Sequence, residues 1–193
     1  MSIHRIIPLL AALLAAPYVN AETETWYTYW GVGLSNNHYG DEIDDLLDYI
    51  DSQPGVSRTE FSTDLFGFYW PIYDQKTMLG FVVNSGHDEI SFYGESLTIS
   101  HHLYSLSTMH FFGREIGDGL FLRADLGLAK ASLDTTLDNT LLVSETGTGA
   151  LFGLGYGIPI SEGSRVLLGV NYTVRKIDGE TISSTMFNVG LLW

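Results

Sequence analysis

The sequence is 193 residues long, has no cysteine, and carries a formal charge of −14 from nine Lys and Arg against 23 Asp and Glu. Disulfide and thiolate chemistry are excluded, and so anionic a chain has little electrostatic attraction for nucleic acid. Its length suits one domain, and 21 glycines with 13% aromatic residues suit a sheet with close backbone approaches and many aromatic anchors.

In chain order, residues 1–21 read as a secretory signal peptide. Arg5 and His4 give a basic start, Ile6 to Ala16 an apolar run, and Val19-Asn20-Ala21 a small-residue exit, with Glu22 the expected first mature residue. The run is shorter than the roughly 20 residues a membrane helix needs, and no later stretch is long and apolar enough for one. Eight strands are then predicted, over roughly 25–34, 59–70, 77–84, 97–112, 119–130, 149–159, 165–176 and 182–193. Most approach the ~9–11 residues that a tilted strand needs to cross a bilayer.

Sidedness is clearest in the second half. In the fifth strand Leu120, Leu122, Ala124, Leu126 and Leu128 oppose Phe121, Arg123, Asp125 and Gly127. In the seventh, Val166, Leu168, Val170, Tyr172 and Val174 oppose a face with Arg165, Asn171 and Arg175; the sixth sets Phe152, Leu154, Tyr156 and Ile158 against Gly153, Gly155 and Gly157. Apolar residues opposite Arg, Asp, Asn and Gly fit lipid outside and a small polar lumen inside. The second and fourth strands carry large apolar groups on both faces and do not declare a side.

The predicted connections alternate. Those at 35–58, 85–96 and 131–148 are long, those near 71–76, 113–118 and 160–164 are tight, and the fourth outer one, 177–181, is short. Long outer loops and short periplasmic turns are the pattern of bacterial outer-membrane barrels. With the N-terminus in the periplasm, Trp26, Trp70, Phe112, Tyr156 and Trp193 fall at one level, as a girdle would. Within the first loop Ile43, Leu46, Leu47 and Ile50 recur at helical spacing among Asp41, Glu42, Asp44, Asp45, Asp48 and Asp51, which predicts a short amphipathic helix over the barrel mouth.

The chain ends Phe187-Asn188-Val189-Gly190-Leu191-Leu192-Trp193. Phe187, Val189, Leu191 and Trp193 share one parity; Asn188 and Gly190 lie opposite. This ending resembles the terminal strand of Gram-negative outer-membrane β-barrels, whose closing aromatic serves as an assembly signal. In organisation, residues 22–193 resemble the small eight-stranded outer-membrane barrels, the group that includes OmpX and the membrane domain of OmpA. The resemblance implies an all-β, eight-stranded antiparallel up-and-down barrel in the cell outer membrane. Its expected partners are outer-membrane lipid, lipopolysaccharide and the assembly machinery reached through the last strand. A monomer is expected.

Members of that group are adhesins, stabilisers, narrow pores or lipid-modifying enzymes, so the fold does not choose the function. The expectation is a non-enzymatic barrel displaying acidic loops, with no catalytic, cofactor or metal residue assigned. The first alternative is a lipid A-modifying enzyme, acyltransferase or deacylase, drawing on His38, Ser85, His87 and Asp88 in the first two outer loops, or on His101, His102 and Ser105 of the fourth strand. The deacylase pattern His-x-Ser-Asn is absent. The second is an exported lipocalin-like barrel, which would put apolar residues inside and charge outside. The acids of residues 41–51 lack the Gly and closing Glu of an EF-hand, and adjacent His101 and His102 face opposite sides of a strand and cannot chelate together. Arg123 and Asp125, two apart, read as an ion pair that fills the lumen.

Overall fold

The computed structural model describes residues 25–72, 75–92, 94–136 and 140–193. The predicted export segment and residues 73 and 74 of the first turn lie outside them. The strands are β1 (Tyr27–His38), β2 (Val56–Ile72), β3 (Thr77–Phe92), β4 (Glu95–Phe111), β5 (Gly119–Thr135), β6 (Thr140–Val143), β7 (Gly147–Ser161), β8 (Ser164–Ile177) and β9 (Glu180–Leu192), with one helix, α1 (Asp41–Asp51). Each strand runs antiparallel to its neighbours, and β1 pairs with both β2 and β9, so the sheet closes into an eight-stranded up-and-down barrel. The short β6 lies outside the ring and pairs with Ser132–Thr135 of β5.

The wall has the polarity that the alternation predicts. Leu120, Leu122, Leu126 and Leu128 of β5, Phe152 and Leu154 of β7, and Phe187 and Val189 of β9 are exposed outward. Arg123, Asp125, Asn171, Arg175 and Asn188 are buried inside. This inverts the lipocalin arrangement: charge lies inside and leucine outside. Trp26, Trp70, Phe112 and Tyr156 are exposed on the wall, and Trp30 and Trp193 stand with ring centroids 6.3 Å apart across the β1–β9 seam.

Two apolar clusters close the lumen. At the periplasmic end Tyr27, Tyr69, Met78, Met109, Phe111, Phe121 and Leu192 pack around Ile116 of the β4–β5 turn. At the other end Leu47 of α1 packs with Tyr39, Ile90, Ala129, Ile177 and Ile182. A large apolar side chain fully buried in this way contributes about 1.5–3 kcal/mol relative to exposure. Polar residues fill the space between.

Two expectations are corrected. The outer connections are shorter than predicted, because strands continue past the lipid. β3 runs to Phe92 and β4 begins at Glu95, so most of 85–96 is paired strand; β5 extends to Thr135, and α1 and β1 shorten the first loop. The sequence hides this because the outward residues there, Ser85, His87, Glu89 and Ser91, are polar and show no apolar alternation. The helix is where expected, but of its four apolar residues only Leu47 is fully buried and Ile50 partly so, while Ile43 and Leu46 face out.

The undeclared sidedness of β2 also has a cause. Its pairing with β3 shifts between Leu65 and Phe68, and Phe66 takes a left-handed φ of 54°. The bulge switches parity: Asp64 and Gly67 are buried while Phe66 and Phe68 are both exposed.

Candidate functional site

The lumen holds one connected polar network. The Arg123 guanidinium donates to Asp64 Oδ2 at 2.8 Å and Oδ1 at 3.0 Å, and to both oxygens of Asp125 at 2.6–3.1 Å. All three residues are at most 2% exposed. Asp64 also accepts from Asn84 at 2.9 Å, Asn188 at 3.2 Å and Tyr29 at 3.3 Å. Arg175 joins by donating from Nη2 to Asn84 Oδ1 at 2.6 Å, and Tyr69 through Ser107, which donates to Asp125. Strand β7 supplies room instead of polar groups: a Cβ on Gly153 would come within 3.2 Å of the Arg123 Cβ.

The predicted Arg123–Asp125 lumen pair is therefore present, and Asp64 is its third member. Sequence reasoning missed Asp64, because it lies just before the bulge in a strand whose faces could not be told apart. Chemically the arrangement is a plug, since Arg123, Asp64 and Asp125 face one another and fill the lumen, although Nε and Nη1 of Arg175 find no hydrogen-bond partner among the described residues.

A second cluster holds the lid. Arg58 near the start of β2 donates to Asp88 through Nε at 2.9 and 3.1 Å and through Nη2 at 2.6 Å, to Asp48 of α1 at 3.2 Å and to Glu60 at 3.2 Å. It thus ties the helix to the rim of the barrel. Its bonds to Asp88 hold the guanidinium above its ordinary pKa. Burial raises the Glu60 carboxyl, against the lowering effect of the Asn37 N–H that donates to it at 3.0 Å. Burial likewise raises the Tyr39 phenol. Asp44 accepts from the Tyr39 N–H at 3.0 Å and contacts His38. His38 is thus a partner of the lid. Two of the clustered acids, Asp44 and Asp48, already contact His38 and Arg58, and among the described residues no group of His, Asp and Glu has the arrangement of a metal site.

The remaining candidates separate. Ser85, His87 and Asp88 lie on β3 rather than in a loop. Asp88 points inward to Arg58; His101 is buried inside, its ring 5.9 Å from that of Tyr39, and Ser105 Oγ donates to the Val82 carbonyl at 3.2 Å. On the outer wall Ser85 and His102 meet at 2.8 Å through Nδ1, and His87 and Ser100 at 2.9 Å. These two cross-strand pairs lie side by side, with Phe61 stacked on His87 at 4.6 Å. The sequence placed Ser85 and His87 near each other but gave no sign that each takes a partner from β4. Ser85 is only 3% exposed, and among the described residues no carboxylate is hydrogen-bonded to His102 or His87. The pairs therefore satisfy the polar groups of the wall and lack an oriented base and an open nucleophile.

Comparison with known proteins agrees with this architecture. Residues 6–193 match the family described as outer membrane protein beta-barrel domain. The fold is similar to that of neisserial surface protein A, with TM-score 0.54 and 19% identity over 88% of this chain and 96% of that one. It is also similar to Ail, the attachment invasion locus protein of Yersinia pestis, in complex with the heparin analogue sucrose octasulfate, with TM-score 0.51 and 8% identity over 88% of this chain and all of that one. No curated protein matches the sequence.

Proposed function

Because the chain belongs to the outer membrane protein beta-barrel family and resides in the cell outer membrane, we propose that it is a non-enzymatic surface barrel that presents an acidic, structured cap outside the cell. One observation carries the reading: the lumen is filled by the Arg123–Asp64–Asp125 network while α1 and the extended strands are built up beyond the lipid belt. A filled barrel of this size serves as a rigid stalk, and the residues it raises above the membrane are available for contact.

Lipopolysaccharide is the lipid partner in this reading. Lys130 and Lys176, exposed on the outer wall of β5 and β8, are the cations positioned to meet its phosphates. The acidic helix repels them unless a divalent cation intervenes. The assembly machinery reads the Phe187–Trp193 ending, and the barrel acts as a monomer. The Ser85–His102 contact favours the second reading, a lipid A-modifying enzyme. Mass spectrometry of lipid A from cells carrying Ser85→Ala or His102→Ala, beside a gene deletion, separates the two. Unchanged lipid A together with loss of surface binding after protease shaving of residues 39–55 supports the stalk. An acylation change that follows Ser85 or His102 overturns it.

A further inference from the structure

Lipid accounts for the apolar residues exposed on the barrel wall, but not for those on α1, which lies across the barrel's outer mouth. Ile43, Leu46 and Tyr49 follow at three-residue intervals along the helix, beside the seam formed by Leu47 and Ile50. Leu46 is 56% and Tyr49 66% exposed, whereas Leu47 is 3%. The apolar arc of the helix is therefore only partly used in docking: Leu47 and Ile50 face the barrel, while Ile43, Leu46 and Tyr49 keep exposed surface as an outward strip along it.

The charge around the outward strip restricts what covers it. Asp41, Glu42, Asp45 and Asp51 are exposed, and their side chains make no hydrogen bond or ion pair among the described residues. Arg58, which reaches the helix through Asp48, is already shared among Asp48, Glu60 and Asp88. A second copy of the chain would bring one acidic helix against another, and lipopolysaccharide would bring phosphates; both are repelled. An occupant that complements the strip is apolar along one line and cationic beside it.

We propose that the outer face of α1 docks a cationic amphipathic polypeptide segment, with apolar side chains seated on Ile43, Leu46 and Tyr49 and Lys or Arg set against Asp41, Glu42 and Asp45. This rests on the surface-display reading above and names the chemistry of the partner.

The test uses the full-length barrel in detergent micelles. The probes are a labelled 18-residue Lys/Leu peptide with leucines at helical spacing, and a scrambled peptide of the same composition. The ordered peptide is expected to bind at least about tenfold more tightly than the scrambled one. Leu46→Ser with Tyr49→Ser should remove that preference while the boiling-dependent gel shift of the folded barrel is kept, since neither side chain is buried. Asp41→Asn with Asp45→Asn should weaken both peptides and flatten the salt dependence. Equal binding of the two peptides, or an undiminished preference in the Leu46→Ser/Tyr49→Ser variant, overturns the proposal. Protease shaving of intact cells keeps the two ideas distinct: a helix exposed on cells but without peptide preference fails this inference alone, and a helix inaccessible on cells fails the display reading as well.

Discussion

Replacing Arg123 with methionine keeps most of the side-chain volume and removes the one cation that faces both Asp64 and Asp125. The wild-type guanidinium makes five hydrogen bonds to these carboxylates, all in a region at most 2% exposed. Removing one partner of a buried ion pair costs about 3–5 kcal/mol, mostly because the charge left behind has no compensation. The two carboxylates are not equally affected. Asp64 keeps the donors Asn84, Asn188 and Tyr29, whereas Asp125 keeps only Ser107 among the described residues. Asp125 therefore carries most of the penalty, and Arg123→Met/Asp125→Asn should recover more stability than Arg123→Met/Asp64→Asn. Equilibrium urea unfolding in phospholipid vesicles, followed by tryptophan fluorescence, measures all three variants. A loss below about 1 kcal/mol for Arg123→Met, the scale of an exposed pair, would refute the reasoning and indicate a lumen wet enough to solvate both acids. Equal rescue by the two asparagines would refute the assignment of the penalty to Asp125.

Two further outcomes are expected. Burial raises the pKa of Glu60 in the folded rim, so the folded state holds that proton over a pH range in which the unfolded chain has lost it. The contribution of this group to stability is therefore greatest below the usual glutamate value and falls as pH rises through the raised one; Glu60→Gln should flatten that slope in the amide-exchange protection of α1, and an unchanged slope would assign it to another group. Phe187→Asp places a charge on an outward, lipid-facing position of the last strand, at about 2–4 kcal/mol near the midplane; the variant should accumulate in the periplasm, and normal membrane insertion would reverse the assigned orientation of β9.

What the sequence disclosed follows what lipid imposes. β5, β7, β8 and β9 were legible because their outward residues meet hydrocarbon and their inward ones meet a polar lumen, so a two-residue rhythm was enforced. Arg123 and Asp125 could be placed in the lumen together because they sit on the polar face of such a strand. Asp64 could not, since the bulge at Phe66 shifts the rhythm of β2 and conceals which face is inner. Beyond the lipid the rhythm no longer reports anything, so the tops of β3 and β5 resembled loops. The Ser85–His102 and His87–Ser100 pairs depend on the β3–β4 register, which neither strand specifies alone. The helix was visible as a helix, but spacing could not say which apolar residues face the barrel, because that depends on how Leu47 packs onto Tyr39, Ile90, Ile177 and Ile182 from distant strands.

The seam between β1 and β9 has a consequence for how the molecule is made. Every other junction in the ring joins strands that follow one another in the barrel and can zip locally. At this seam the backbones of Thr28 and Trp193 exchange N–H···O bonds at 2.7 and 3.1 Å across 165 residues of chain. A non-local contact of that kind bears the full entropy of loop closure and forms slowly. Until it does, the nascent molecule is an open meander with two unpaired edges, each able to recruit a strand from another chain. Trp193 thus arrives as the clasp on a necklace, and the hazard to a growing chain is greatest in the interval before it fastens.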